Sequence, residues 1–258
     1  MLSIVSDGHQ NQLNFTSNDV LLPVSKGLQI LKLHFVEWND PIENAIASIC
    51  NACPKLVHLE LVQLPGLPLN LPKLEILSLA KNPDRYKPNW ISQFPNIRHF
   101  IWNGSERLEK LEFLENSSIS KMEFNMDFVH PSATIPNLTS LKLYGDLSDD
   151  ERNSDHWNLS DFVNFLQRHC KNLEKFHFDV EISKEIVKLI AEQCTNIEQI
   201  STFSQCFDWK LFCEYRIESG NVGKRLQIVT KTDINFDLLS NANATTFRGE
   251  ISILESLY

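Results

Sequence analysis

Cysteine is scarce, long apolar runs are absent, and positive charge falls short of negative. Six cysteines in 258 residues are too few for a disulfide scaffold, so a reduced intracellular protein, cytoplasmic or nuclear, is expected. No apolar stretch approaches the roughly 20 residues that span a bilayer. The start, Met1-Leu2-Ser3-Ile4-Val5-Ser6-Asp7, lacks the basic and apolar parts of an export signal. Lys plus Arg number 24 and Asp plus Glu 33, a formal charge of −9. That balance disfavours nucleic acid and anionic membranes as partners, because both select clustered cations. Chemical motifs are missing as well: there is no G-x-S-x-G and no H-E-x-x-H. Gly220-Asn-Val-Gly223-Lys224-Arg225 is too short between its glycines for a phosphate loop, and Arg stands where Ser or Thr must reach magnesium. An enzyme, a bound cofactor and a metal site are therefore not expected.

What is abundant is leucine, with 34 residues, and its spacing is regular. One phrase recurs: aliphatic, two variable residues, aliphatic, one variable residue, aliphatic. It is clear at Leu28-Gln-Ile-Leu31-Lys-Leu33, Leu56-Val-His-Leu59-Glu-Leu61, Leu74-Glu-Ile-Leu77-Ser-Leu79 and Leu138-Thr-Ser-Leu141-Lys-Leu143. Weaker copies start at Ile97, Ile119, Leu173 and Ile197, and Leu13 with Phe15 suggests a first one. From Leu28 to Ile197 the starts are 28, 18, 23, 22, 19, 35 and 24 residues apart, within or near the spacing of leucine-rich repeats. The end of each phrase alternates with period two, so it reads as a short strand with one buried face.

Helices are expected between several strands. Asp40-Pro41 opens one with Ile42, Ile46, Ile49 and Cys53 on a stripe; Ser160 opens a second with Phe162, Phe165 and Leu166; Ser183 opens a third with Ile186, Val187 and Ile190. The copies of 18 and 19 residues are too short for a full helix and are expected to cross in extended or 3₁₀ form. The fold class is thus α/β: a right-handed leucine-rich-repeat solenoid, a horseshoe with a curved parallel sheet on its concave face and helices or irregular segments on its convex face. Residues 1–205 are expected to form about nine copies, and 206–258 a degenerate repeat or C-terminal cap of the same domain, with Leu226-Gln-Ile-Val229-Thr230 as a tenth strand.

The slot before each phrase holds Cys53, Leu71, Phe94, Ile135, Cys170 or Cys194. A slot that accepts Cys, Leu, Phe and Ile is a packing position, which argues against a redox or zinc reading of Cys50-Asn-Ala-Cys53. Asp146, Asp149, Asp150, Glu151, Asp155 and Asp161 make an acidic segment with the wrong spacing for a calcium loop, so a solvated insertion is expected.

If the aliphatics point inward, the intervening strand residues point outward and form the working surface. Among them Ile30, Lys32, His34, His58, Glu60, His99, Ile101, Lys121, Glu123, Lys142, Tyr144, Lys175 and His177 are expected to contact a protein partner. Ile76, Val62 and Phe203 add exposed apolar groups, and apolar anchors among polar groups are the usual makeup of protein interfaces. The four histidines in this set, His34, His58, His99 and His177, lie in different columns or copies, so they are contact residues and not metal ligands.

Cys53-Pro-Lys-Leu56-Val-His-Leu59-Glu-Leu61 and Cys170-Lys-Asn-Leu173-Glu-Lys-Phe176, each after a helical stretch, resemble the cysteine-containing leucine-rich repeats of the F-box/LRR proteins. The resemblance covers about residues 10–205. It implies the target-recognition part of a Skp–cullin–F-box ubiquitin ligase, with a protein target on the concave face and a Skp-type adaptor and cullin as further partners where an F-box precedes the repeats. No F-box is recognisable at Leu21-Leu22-Pro23-Val24, and no adaptor-contacting residue carries over. The alternative is a free-standing intracellular scaffold or inhibitor unrelated to ubiquitin.

Overall fold

The computed structural model describes residues 2–6, 26–35, 40–81, 90–104, 118–126, 132, 134–145, 157–179, 182–202, 207–221, 225–230 and 244–248. Two compact units divide the chain, Met1–Ile119 and Ser120–Tyr258. The first carries β1 (Leu2–Ser6), β2 (Ile30–Phe35), α1 (Asp40–Asn51), β3 (His58–Leu61), β4 (Ile76–Leu79), a 3₁₀ turn at Trp90–Gln93 and β5 (His99–Trp102). The second carries β6 (Lys121–Asn125), β7 (Ser140–Tyr144), α2 (Leu159–His169), β8 (Lys175–Asp179), α3 (Lys184–Gln193), β9 (Gln199–Ser201), α4 (Trp209–Glu218), β10 (Leu226–Thr230) and β11 (Ala244–Arg248). Within each unit every described pairing is parallel and joins strands consecutive in the chain.

The register follows from the phrase. Leu31 pairs with Leu59, Leu59 with Leu77, and Leu77 with Phe100. In the second unit Met122, Leu141, Phe176, Ile200 and Ile228 are aligned in the same way. All nine side chains are at most 1% exposed. Burying each is worth roughly 1.5–3 kcal/mol, and slipping a strand by one residue would turn that column to water. The copy starting at Ile197 looks weak because Thr202 replaces an aliphatic, and those starting at Ile97, Ile119 and Leu173 because Phe or Met takes the place of Leu. They lie beside aromatic layers, with Trp157 against Phe165 at 4.9 Å, Phe176 against Phe178 at 4.9 Å and Phe207 against Trp209 at 4.4 Å.

Each Cys slot is a core position: Cys53, Leu71, Phe94, Ile135, Cys170 and Cys194 are at most 1% exposed. The described cysteines are free thiols, and burial pushes Cys50 up to about 12, so that thiol stays protonated. The 18-residue copy between Leu56 and Leu74 contains no helix, as its length demands.

Three details differ from what the sequence suggests. The strand beside β2 is Leu2–Ser6, too short to show the full phrase, while Leu13 and Phe15 lie outside the described residues. Helix α2 is capped by Asn158 and not Ser160: Asn158 Oδ1 accepts the Asp161 N–H at 2.9 Å, and Asp161 Oδ2 accepts the Asn158 N–H at 3.4 Å. This reciprocal box satisfies two otherwise orphaned donors, and it gives Asp161 a role; the other five residues of the acidic segment lie outside the described residues. In β10 Ile228, not Val229, occupies the spine, one residue from the expected register. Beyond residue 205, α4 is followed by β10, and β11 pairs in register with β10.

A second set of hydrogen bonds links neighbouring copies at the turns before β5, β6, β8 and β9. Asn96 Nδ2 donates to Pro72 O at 2.7 Å, Asn172 Nδ2 to Pro136 O at 3.3 Å and Asn196 Nδ2 to Lys171 O at 2.6 Å. Ser118 Oγ donates to Pro95 O at 3.2 Å and to Ile97 O at 2.9 Å. Turn carbonyls are satisfied this way by the copy that follows.

Candidate functional site

In the first unit the outward columns are aligned by the same register that aligns the core. Ile30, His58, Ile76 and His99 form one column, and Lys32, Glu60, Ser78 and Ile101 the next. Glu60 organises this face: Oε2 lies 2.9 Å from Lys32 Nζ and Oε1 lies 2.8 Å from His34 Nε2. Burial pushes the Glu60 carboxyl up, but Lys32, His34 and His58 together pull it down, leaving it below the ordinary carboxylate value. The His58 imidazole is pushed down by burial and then by Lys32; its Nε2 is buried and has no hydrogen-bond partner among the described residues. Asn103 Nδ2 donates to Ser78 Oγ at 3.0 Å. Ile30, Ile76 and Ile101 are half-buried between these polar groups. The result is a face of half-buried apolar side chains beside charges paired through Glu60.

The second unit has its own face. Lys121, Ser140, Lys175 and Gln199 make one column, and Glu123, Lys142, His177 and Ser201 the next. Glu123 Oε1 accepts from the Tyr144 hydroxyl at 2.8 Å and lies 3.1 Å from Lys142 Nζ. The same ammonium sits 5.0 Å from the Tyr144 ring centroid, a cation–π arrangement. Gly145 follows at φ +107°, and a Cβ there would meet Asn125 Oδ1 at 2.6 Å. A glycine is therefore required to end the strand just past Tyr144.

His177 departs from expectation. It lies in the outward column but is only 2% exposed, so it is a wall of the face and not a contact on its surface. The ring packs edgewise on Tyr144 at 6.0 Å, and Nδ1 lies 2.9 Å from Ser201 Oγ. Burial, then Lys142, pushes its pKa down to about 4. A Ser–His pair invites a nucleophile reading, but Ser201 is fully buried, and so weak a base activates a hydroxyl poorly at neutral pH. Ser78, Ser140 and Gln199, all in outward columns, are buried as well, while Phe203 lies outside the described residues.

The other anticipated contacts, Ile30, Lys32, His34, His58, Glu60, His99 and Ile101 in the first unit and Lys121, Glu123, Lys142, Tyr144 and Lys175 in the second, are half-buried. They form two separately described patches. Among the described residues no group of three or more His, Cys, Asp or Glu is placed to hold a metal ion, and no helix is long and apolar enough to cross a membrane. His169, which no motif in the sequence marks, is 3% exposed and accepts the Ile135 N–H at Nε2, 3.0 Å away. The asparagine bonds do have a signal in the sequence, since Pro95-Asn96-Ile97, Lys171-Asn172-Leu173 and Thr195-Asn196-Ile197 all carry Asn at the same offset. A scan against family models finds none that matches this chain, and a search of curated proteins finds no match.

Proposed function

We propose that the chain is a non-enzymatic protein-recognition module whose coils are leucine-rich repeats of a right-handed solenoid, and that the outward strand faces hold the partner. The observation that carries this reading is the makeup of those faces. Half-buried Ile30, Ile76 and Ile101 stand beside charges already fixed by Glu60, and Tyr144 is locked by Glu123 and Lys142. Preorganised polar groups around apolar anchors reduce the ordering cost of association. By resemblance, the finer reading is the target-binding part of an F-box/LRR ubiquitin-ligase receptor.

Affinity capture from cell extract with the intact chain tests the module reading. Ile76→Ser and Tyr144→Ala should each weaken recovery of a shared partner, while Lys188→Glu on the exposed side of α3 should not. Equal recovery by all variants overturns it. Recovery of a Skp-type adaptor and cullin with the full-length protein, and a shorter lifetime of the captured target, supports the ligase reading. A stable partner whose lifetime does not depend on this chain supports a scaffold or inhibitor instead.

A further inference from the structure

We propose that the face of the second unit selects an acidic peptide segment, with carboxylates of the partner seated between Lys121 and Lys175. The inference rests on the docking-face reading above and names the partner's chemistry. Lys121 and Lys175 flank Ser140 in one column, on strands β6 and β8 with β7 between them. At strand spacing their backbones are roughly 10 Å apart, close enough for two extended lysine side chains to meet one carboxylate or two neighbouring ones.

Among the described residues, the other charges on the face are engaged elsewhere or lie off this column. Glu123 is engaged by Lys142 and by the Tyr144 hydroxyl. His177 is neutral at pH 7, its pKa being pushed down by burial and by Lys142. Asp179 lies four residues beyond Lys175, at the far end of β8. Glu174 and Glu198, just before β8 and β9, are exposed outside the strands. This locally positive face stands out on a chain whose formal charge is −9. An acidic segment complements it, and a basic one is repelled. Exposed ion pairs add little affinity but set selectivity and encounter rate, so the effect is one of discrimination.

The probe is a short fluorescein-labelled peptide alternating glutamate with valine, compared by anisotropy with its glutamine and lysine counterparts and with labelled oligothymidine. The glutamate peptide should bind best, weaken with added salt, and lose roughly tenfold in affinity to Lys121→Glu/Lys175→Glu. Lys121→Gln/Lys175→Gln should lose less, and it serves if the double reversal does not fold. Equal binding of glutamate and glutamine peptides, no binding of the glutamate peptide at millimolar concentration, or indifference to both lysine variants overturns the inference. Oligothymidine bound as well as the peptide also overturns it, by showing a general polyanion site. If glutamate and glutamine peptides bind equally and Tyr144→Ala weakens both, charge selectivity fails while the docking face stands.

Discussion

Replacing His169 tests how the second unit is held together. The ring is 3% exposed and lies 4.4 Å from Phe165. Its Nε2 faces the Ile135 N–H at 3.0 Å, and its Nδ1 lies 2.8 Å from Phe165 O. A backbone N–H can only donate, so Nε2 carries the lone pair and Nδ1 the proton. His169→Phe keeps the ring but leaves a buried N–H without an acceptor, at about 1–3 kcal/mol. His169→Ala adds lost packing on Phe165, for a total of about 2–5 kcal/mol. The Phe165 carbonyl is within helix α2 and keeps its place in the helical ladder. Urea unfolding followed by tryptophan fluorescence at pH 7.5 measures both, with Trp157 in the same aromatic layer.

Acid provides a second readout on His169. Burial, then Arg168, holds its pKa below the ordinary histidine value, against the Phe165 carbonyl, which raises it. Protonation would put a second donor opposite the Ile135 N–H. The neutral form is favoured by folding, so the stabilisation is present above the unfolded pKa near 6.5 and is lost as pH falls below it. His169→Phe should therefore lose less stability than the native chain between pH 7.5 and pH 5. If both variants stay within about 0.5 kcal/mol of the native chain, below the cost of an orphaned N–H, the bridging role assigned to this histidine is wrong.

Other outcomes follow from the same geometry. His177, with a folded pKa of about 4 against 6.5 unfolded, should withdraw up to about 3 kcal/mol as pH falls from 6.5 toward 4; His177→Asn should flatten that part of the curve, and an unchanged curve would contradict its buried, neutral state. Leu77→Ala removes a fully buried spine residue and should cost about 2–5 kcal/mol by urea titration, whereas exposed Leu67→Ala should cost under about 1 kcal/mol. Asn196→Ala frees the Lys171 carbonyl and should cost about 1 kcal/mol, visible as faster amide exchange around β8 and β9; no change would mean that water replaces the side chain without loss. Cys53 and Cys194 should resist a thiol reagent until urea unfolds the chain, because both are fully buried; rapid modification in the folded state would show that the core opens.

The strands were legible because a period-two phrase has only one way to bury its aliphatics. Leu59 over Leu77 could be read from spacing alone. The outward columns were legible for the same reason, down to Glu60 beside Lys32. Burial within those columns was not. His177 is hidden by its neighbours across the sheet, Tyr144 and Ser201, which a single strand's pattern does not show. The start of α2 was misplaced because Ser160 and Asn158 are both good caps; the Asp161 side chain, three residues after Asn158, decides between them. His169 escaped notice because its partner, Ile135, is 34 residues away. The tenth strand was found but its phase was not, since Leu226, Ile228 and Val229 are all buried and alternation is lost.

The direction of the turn ladder carries one more consequence. Asn96, Ser118, Asn172 and Asn196 each offer a donor to a carbonyl made earlier in the chain. During synthesis from the N-terminus, these four residues arrive after the carbonyls they bind. A nascent chain that ends before one of these residues leaves the turn carbonyl it serves without that donor.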